Sequence, residues 1–292
     1  MNNYIFKILI LGSNGQLARE IKKLSSYYPY TFSFKTKAEL NITDINSVEK
    51  TIDAEEPDFI INCAAYTNVD KAESEEELAN SINYVAVKNL VNIAVKNDIK
   101  MIHFSTDYVF DGLSKVPYKE EDVRNPKSAY GRSKLKGEDA ILNSNLKHAI
   151  IIRTSWVYSH YGDNFVKKII MLSKAKSNLS IVSDQIGSPT YAKDLAEFVL
   201  KIIPLVAEKK IAIYHYCNNG EISWYDLSKA VVNKLSIDCE LRPILTSDYP
   251  TPAPRPTYSV LSTSKIQKDF QIKLSNWIDS LYNCLKHLEK YK

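Results

Sequence analysis

Two short stretches carry residue types at a spacing that can do chemistry. The apolar run Met101-Ile102-His103-Phe104 leads straight into Ser105-Thr106-Asp107-Tyr108, and after a polar loop Tyr130-Gly131-Arg132-Ser133-Lys134 opens a helical segment. The run reads as a buried strand that delivers Thr106 at its end. Tyr130 and Lys134, at helical i,i+4 spacing, share one helix face. A phenol, an ammonium and a second hydroxyl are what carbonyl reduction by a nicotinamide requires. The phenol protonates the nascent alkoxide, the cation makes the phenol acidic, and the hydroxyl orients the carbonyl. Lowering a tyrosine from its usual value near 10 to neutrality takes on the order of 4 kcal/mol. One ammonium and the positive charge of a nicotinamide, in a site that excludes water, supply that.

The spacing alone is weak. In a chain with 19 tyrosines it recurs at Tyr84/Lys88, Tyr225/Lys229 and Tyr282/Lys286, and most such pairs are surface neighbours. Only Tyr130 follows a strand that ends in Ser-Thr and lies downstream of a glycine-rich turn.

That turn is Gly12-Ser13-Asn14-Gly15-Gln16-Leu17-Ala18, between the apolar strand Lys7 to Leu11 and a helical run to about Ser25. Gly12 permits the tight turn, Gly15 lets backbone approach a pyrophosphate, and Ala18 allows close helix–strand packing. The helix N-terminus offers N–H groups and a positive dipole end to the phosphates. After a short second strand, Thr31 to Phe34, stands Lys35-Thr36-Lys37 rather than the acid that accepts NAD ribose hydroxyls. Two lysines and a hydroxyl suit a 2′-phosphate; the competing reading is a solvated, lysine-rich turn. Residues 39–44 are expected under the adenine edge, and Asn46 to Glu55 as a helix. A third strand, Pro57 to Asn62, ends in the small residues Cys63-Ala64-Ala65, which allow close approach of a cofactor. A long helix is expected from Leu78 to Asn97, with Asn83 able to hold backbone or water behind the site. The strand His148 to Thr154 ends in Ser155-Trp156-Val157-Tyr158, where Trp156 can pack on a sugar face or in the core.

Strands alternating with helices predict an α/β fold, a Rossmann-like doubly wound parallel sheet with a smaller α/β substrate-binding lobe. The expected division is a dinucleotide-binding domain over residues 1–157, rejoined by 191–220, and a substrate lobe over 158–292. In that lobe Thr251-Pro252-Ala253-Pro254-Arg255-Pro256 excludes regular structure, and Arg255 in so rigid a loop can clamp a phosphate or carboxylate. With 45% hydrophobic and 25% charged residues the composition is that of a soluble globular protein. The net charge of +4 is scattered, without a basic block, which argues against nucleic-acid binding. Cys63, Cys217, Cys239 and Cys284 are far apart, as expected of free thiols in a reducing compartment. No early apolar run is long enough for a signal or a membrane span, so the expected location is cytoplasmic, with no membrane partner.

With these residues assembled, the chain resembles the extended short-chain dehydrogenases/reductases and, more narrowly, the dTDP-4-dehydrorhamnose reductase family. The resemblance covers nearly the full length. Gly12 to Leu17, Asn62 to Glu73, Ser105 to Gly112, Tyr130 to Lys134, Arg153 to Tyr158, Asp184 to Thr190 and Arg255-Pro256 carry it. It implies NADPH or NADH as cofactor and a nucleotide-sugar substrate. Tyr130 is then the proton donor and Lys134 its partner, with Thr106 and Asp107 on the sugar and Trp156 at the substrate. The cofactor meets Gly15, Gln16, Leu17, Asn41, Ile42, Ala65, Tyr66, Thr67 and Phe104, beside Gly12. Asn164 and Arg255 are assigned to the diphosphate end. Asn41 stands where an aspartate is frequent, which speaks against strict NAD use. Some members dimerise through magnesium held by glutamates. Glu20 matches one such position but the others have no match, so a homodimer stays open and no metal is expected. A reductase or epimerase of another nucleotide-linked 4-keto-6-deoxy sugar, or a non-catalytic subunit such as the β subunit of methionine adenosyltransferase, are the alternatives.

Overall fold

The computed structural model describes residues 5–289. Along the chain run β1 (Lys7–Leu11), α1 (Gln16–Leu24), β2 (Thr31–Lys35), α2 (Ile45–Glu55), β3 (Phe59–Asn62), α3 (Glu76–Asn80) and α4 (Ala86–Lys96). There follow β4 (Lys100–Thr106), α5 (Ala129–Leu142), β5 (Ala149–Thr154), β6 (Val157–Tyr158), α6 (Phe165–Ala175), β7 (Asn178–Val182), β8 (Ile186–Gly187) and β9 (Thr190–Tyr191). The rest is α7 (Ala192–Val206), β10 (Ala212–His215), β11 (Ile222–Ser223), α8 (Trp224–Lys234), β12 (Glu240–Ile244), α9 (Ser264–Phe270) and α10 (Trp277–Glu289).

Six strands form one parallel sheet in the order β10-β5-β4-β3-β1-β2. The period-2 alternation of β1 shows why its apolar run is continuous. Ile8 and Ile10 point to one face, where they share a core with Ile21 of α1 and Leu195 and Val199 of α7. Leu9 and Leu11 point to the other, with Val48 and Ile52 of α2 and Leu90 and Val91 of α4. The chain leaves β1 for β2 on one side and returns to β3 on the other. The carboxyl ends of β1 and β3 therefore flank the crevice where such sheets bind ligands.

Instead of one helix over 78–97, the chain makes α3, a wider π-type turn at Ser81–Val85, and then α4. A separate hydrophobic core packs α6, α8 and α10 around Tyr158, Tyr191, Leu227 and Leu281, and the parallel pair β7–β12 lies in the same part of the chain. Pro243 is tolerated in β12 because that ribbon has only two strands.

Candidate active site

The end of β4 and the start of α5 make the centre. Ser128 caps α5, its Oγ accepting from Gly131 N at 3.1 Å, and Ala129 N donates to Glu73 Oε1 at 2.8 Å. Two glycines let the helix close in. A Cβ at Gly131 would lie 2.2 Å from the Tyr108 carbonyl oxygen, and one at Gly137 would lie 2.3 Å from that of Asn83. Tyr130 and Lys134 are both buried, whereas Lys88, Lys229 and Lys286 of the other pairs are exposed. Lys134 Nζ donates to Phe104 O at 2.6 Å, which ties the helix to the strand.

Burial pushes the Tyr130 phenol above its ordinary value, against a hydrogen bond with Thr106. The phenol therefore holds its proton, with Asp107 and Tyr108 raising it further, and the acidity expected from Lys134 does not show in the protein alone. Burial brings Lys134 down to about 8, opposed by Glu138 one turn on. Asp107 is pushed up to about 6, again by burial. Thr106 Oγ1 donates to Asp107 Oδ1 at 2.9 Å and accepts from Tyr108 N at 3.2 Å. Ser105 Oγ is buried without a hydrogen-bond partner, and hydrogen bonding from Ser259 and Thr106 opposes the rise of the Asp107 carboxyl.

The glycine turn fits a dinucleotide. Gly12 has φ +74°, and a Cβ there would sit 2.7 Å from the backbone of Ala64, so the turns after β1 and β3 touch. Gly15 caps α1 with no side-chain hydrogen bond, leaving first-turn N–H groups for phosphate oxygens. The loop Cys63 to Thr67 is held from behind. Asn62 Oδ1 accepts from Ala64 N at 3.1 Å, and Asn83 bonds both Tyr66 N (2.9 Å) and Tyr66 O (3.0 Å). Asn83 also donates to Ser133 Oγ at 2.9 Å, which couples this loop to α5. The Ile42 side chain is in the core, so only its backbone is free to face a ligand, and Asn41 Oδ1 accepts from Thr43 N. Lys35 is paired with Glu55 at 2.5 Å, which leaves Thr36 and Lys37 as the polar groups at the end of β2.

On the other side of the crevice Trp156 holds a left-handed backbone, φ +48°, and stacks on Trp224 at 3.4 Å between ring centroids. Gly187 lies under its ring; a Cβ there would come within 2.6 Å. Arg255 Nη2 contacts Asp70 Oδ2 at 2.6 Å and Nη1 donates to Tyr108 OH at 3.3 Å. Tyr108 in turn packs edge-on against Tyr130, 5.7 Å between centroids.

The family model described as "RmlD substrate binding domain" matches residues 6–290. A dTDP-4-dehydrorhamnose reductase of Aggregatibacter actinomycetemcomitans is 40% identical, over 97% of this chain and 99% of its own. The chain belongs to the dTDP-4-dehydrorhamnose reductase family. A crystal structure of such a reductase from Clostridium acetobutylicum superposes with a TM-score of 0.93 at 39% identity, covering 97% of this chain and 99% of that one. Another from Bacillus anthracis, in complex with NADP, has a TM-score of 0.92 at 33% identity, covering 97% of this chain and 100% of that one.

Within this member of the reductase family, Thr106, Asp107, Tyr130 and Lys134 come together with Phe104. Gly12 meets Ala64 of the loop after β3, whereas the Gln16 side chain bonds Val157 O and Asn164 and Leu17 packs against the core beside α1. Arg255 reaches the same centre through Tyr108. Asn164 does not join it: it caps α6, accepting from Lys167 N, and its amide donates to Gln16 Oε1 at 2.9 Å and Ser159 O at 2.7 Å. It braces the glycine turn from the second lobe instead. Glu20 is buried, with Ser159 Oγ at 2.6 Å and His160 Nδ1 at 3.2 Å. Sequence reasoning assigns no role to Trp224, Asp70 or Tyr108. Asp70 and Tyr108 lie within stretches that carry the family resemblance, whereas Trp224 announces itself only once Trp156 is placed beside it.

Proposed function

We propose that this chain reduces the C4 ketone of dTDP-4-dehydro-L-rhamnose to give dTDP-L-rhamnose, at the expense of NADPH or NADH. The burial of Thr106, Tyr130 and Lys134 together, beside an uncapped glycine turn, carries this reading. A nicotinamide dinucleotide, when bound, supplies the hydride. Gly12 and Gly15 admit its pyrophosphate, and the Phe104 to Thr106 strand end with Ala65 to Thr67 borders its reactive end. Tyr130 gives its proton to the oxygen on which charge develops. Lys134 and Thr106 act on that developing charge, which favours the transition state over the ground state. Asp107 accepts from a sugar hydroxyl and the Trp156–Trp224 stack offers an apolar face to the ring. Residues 1–157, with 191–220, form the cofactor lobe and 158–292 the substrate lobe, except that Ile266 of α9 and Leu274 pack into the core of the six-stranded sheet. No helix among the described residues is long and apolar enough to cross a membrane.

The test is an anaerobic assay of NADPH or NADH oxidation with this keto-sugar, the product identified by NMR. Tyr130→Phe folds normally and lowers kcat by about 10²–10⁴, as for a positioned acid. Near-wild-type turnover in the variant rules Tyr130 out as donor. Turnover of a UDP-linked keto-sugar in place of the dTDP-linked one moves the chain to a sister reductase. A nicotinamide retained through purification, seen in the absorbance spectrum, points to an epimerase.

A further inference from the structure

Behind the site lies a buried chain of three side chains, Asn62 at the end of β3, His103 inside β4 and Lys134 on α5. Asn62 and His103 are each 1% exposed and Lys134 2%. Asn62 Nδ2 is 3.2 Å from His103 Nδ1, and His103 Nε2 is 3.5 Å from Lys134 Nζ. Gly137 lets α5 press onto the same ring, its Cβ position being 3.9 Å from His103 Nε2.

The orientation of Asn62 decides the protons. Its Oδ1 accepts from Ala64 N at 3.1 Å, so the amide cannot be reversed without leaving that N–H facing an NH₂ group. Nδ2 therefore donates, and His103 Nδ1 must accept. A neutral His103 then carries its hydrogen on Nε2, aimed at Lys134. An ammonium has no lone pair to receive it; a neutral amine has one. The arrangement disfavours the charged lysine. We propose that Asn62 and His103 are positioning residues which, by fixing His103 as the Nε2–H tautomer, govern how readily Lys134 gives up its proton.

The charges around the pair fit this direction. Burial and Lys134 together hold His103 well below its ordinary range, so it stays neutral. The anionic neighbour of Lys134 on its own helix is Glu138, but that carboxylate is bidentate to Arg153 of β5, at 2.8 and 2.7 Å. Arg124 adds a second cation at 3.6 Å from Glu138. Asp107, in the turn after β4, and Tyr130 face the site from its open side. The Phe104 carbonyl accepts from either form of the amine. A lysine poised in this way loses its charge on the alkaline side of the working range, where kcat should fall. That consequence for turnover rests on the reductase reading; the proton inventory does not.

The test needs no substrate. Long-range ¹H–¹⁵N spectra of the labelled protein, which has only 5 histidines, read the His103 tautomer, and a ¹³Cε titration reads Lys134, assigned by its loss in Lys134→Met. The wild type should show Nε2–H. Asn62→Asp keeps the acceptor for Ala64 N but demands Nδ1–H, which turns the Nε2 lone pair toward Lys134. Its midpoint should then rise by about one unit or more, a tenfold change in proton affinity. The direct field of the introduced carboxylate is separated by repeating the change in a His103→Phe background, where the rise should fall to a third or less. An Nδ1–H wild type, or an equal rise in both backgrounds, overturns the proposal. If the variants fail to fold, the wild-type tautomer alone decides. Failure of the keto-sugar assay leaves these readings intact and concerns only the proposed reaction.

Discussion

Asp107 is the residue whose charge should set the acid limb of the pH profile. Burial raises its carboxyl to about 6, so above that pH it is ionised and able to accept from a sugar hydroxyl. As pH falls through about 6 it is protonated, one oxygen becomes a donor and the charge that strengthens the bond to the sugar hydroxyl is lost, so kcat/KM should decline. Asp107→Asn should remove that limb and lower kcat/KM about 10- to 100-fold, the worth of one buried polar partner. A limb that persists in the variant assigns it elsewhere. Cofactor choice is settled at the same scale. With Lys35 paired to Glu55, Lys37 is the remaining cation of the Lys35-Thr36-Lys37 turn to meet a 2′-phosphate. Lys37→Ala should lower kcat/KM for NADPH roughly three- to fivefold and leave NADH unchanged, since one exposed ion pair contributes at most about 1 kcal/mol. Equal effects on both cofactors would return the lysine to solvent. Thr106, Tyr130 and Lys134 were legible in the sequence because one helix turn and one strand end fix their geometry locally. The Lys35–Glu55 pair was not, because its partner sits at the far end of α2 and nothing in the local pattern announces it.

At the level of elements, α5 is positioned by glycines rather than by side chains. An alanine in a helix ordinarily stabilises it by about 1 kcal/mol over glycine. At Gly137 the new Cβ would sit 2.3 Å from the Asn83 carbonyl oxygen, backbone that cannot rotate away. Overpacking of this kind costs about 1–3 kcal/mol, so the sign should reverse and Gly137→Ala should destabilise. Because the displaced residue also holds Tyr66, cofactor binding should weaken in step. Urea unfolding and an NADPH titration measure the two, and a stabilised variant would show that the turn relaxes freely. The same turn explains why the helix reading over 78–97 was too simple. An inserted residue in a π-type turn shifts the register, so Asn83 points inward although the flanking periodicity is that of an ordinary helix. Periodicity reports that a helix exists, not where it swells.

For the molecule as a whole, the sheet was readable and the second lobe largely was not. Continuous apolar runs such as Leu9 to Leu11 and Ile150 to Ile152 mark strands covered on both faces. The ribbon β7–β12, with Pro243 in one strand, and α9 and α10 lack such a signature. Besides the Asn164–Gln16 contact, the lobes are joined by the proline loop and the segment after it. Tyr118 bridges to Leu261, a Cβ at Gly112 would strike Pro256 at 2.4 Å, and Ala253 N donates to Asp70 Oδ1 at 3.2 Å. Arg255 lies within this seam, its ion pair with Asp70 partly open to solvent at 19% and 37% side-chain exposure. Such a pair adds at most about 1 kcal/mol to stability, so Arg255→Ala should shift the melting temperature by only a few degrees. If the guanidinium also receives the diphosphate of the substrate, two charge-assisted hydrogen bonds are lost with it, and KM should rise about 10- to 100-fold. Turnover at saturation and the NADPH dissociation constant should stay near wild type, because Arg255 touches neither the proton donor nor the glycine turn. Arg255→Lys should recover only part of the loss, since an ammonium cannot make the paired contact. Steady-state kinetics in the sugar nucleotide, alongside NADPH binding and thermal melts, decide the matter. An unchanged KM with a collapsed melting temperature would make Arg255 a latch between the lobes and nothing more.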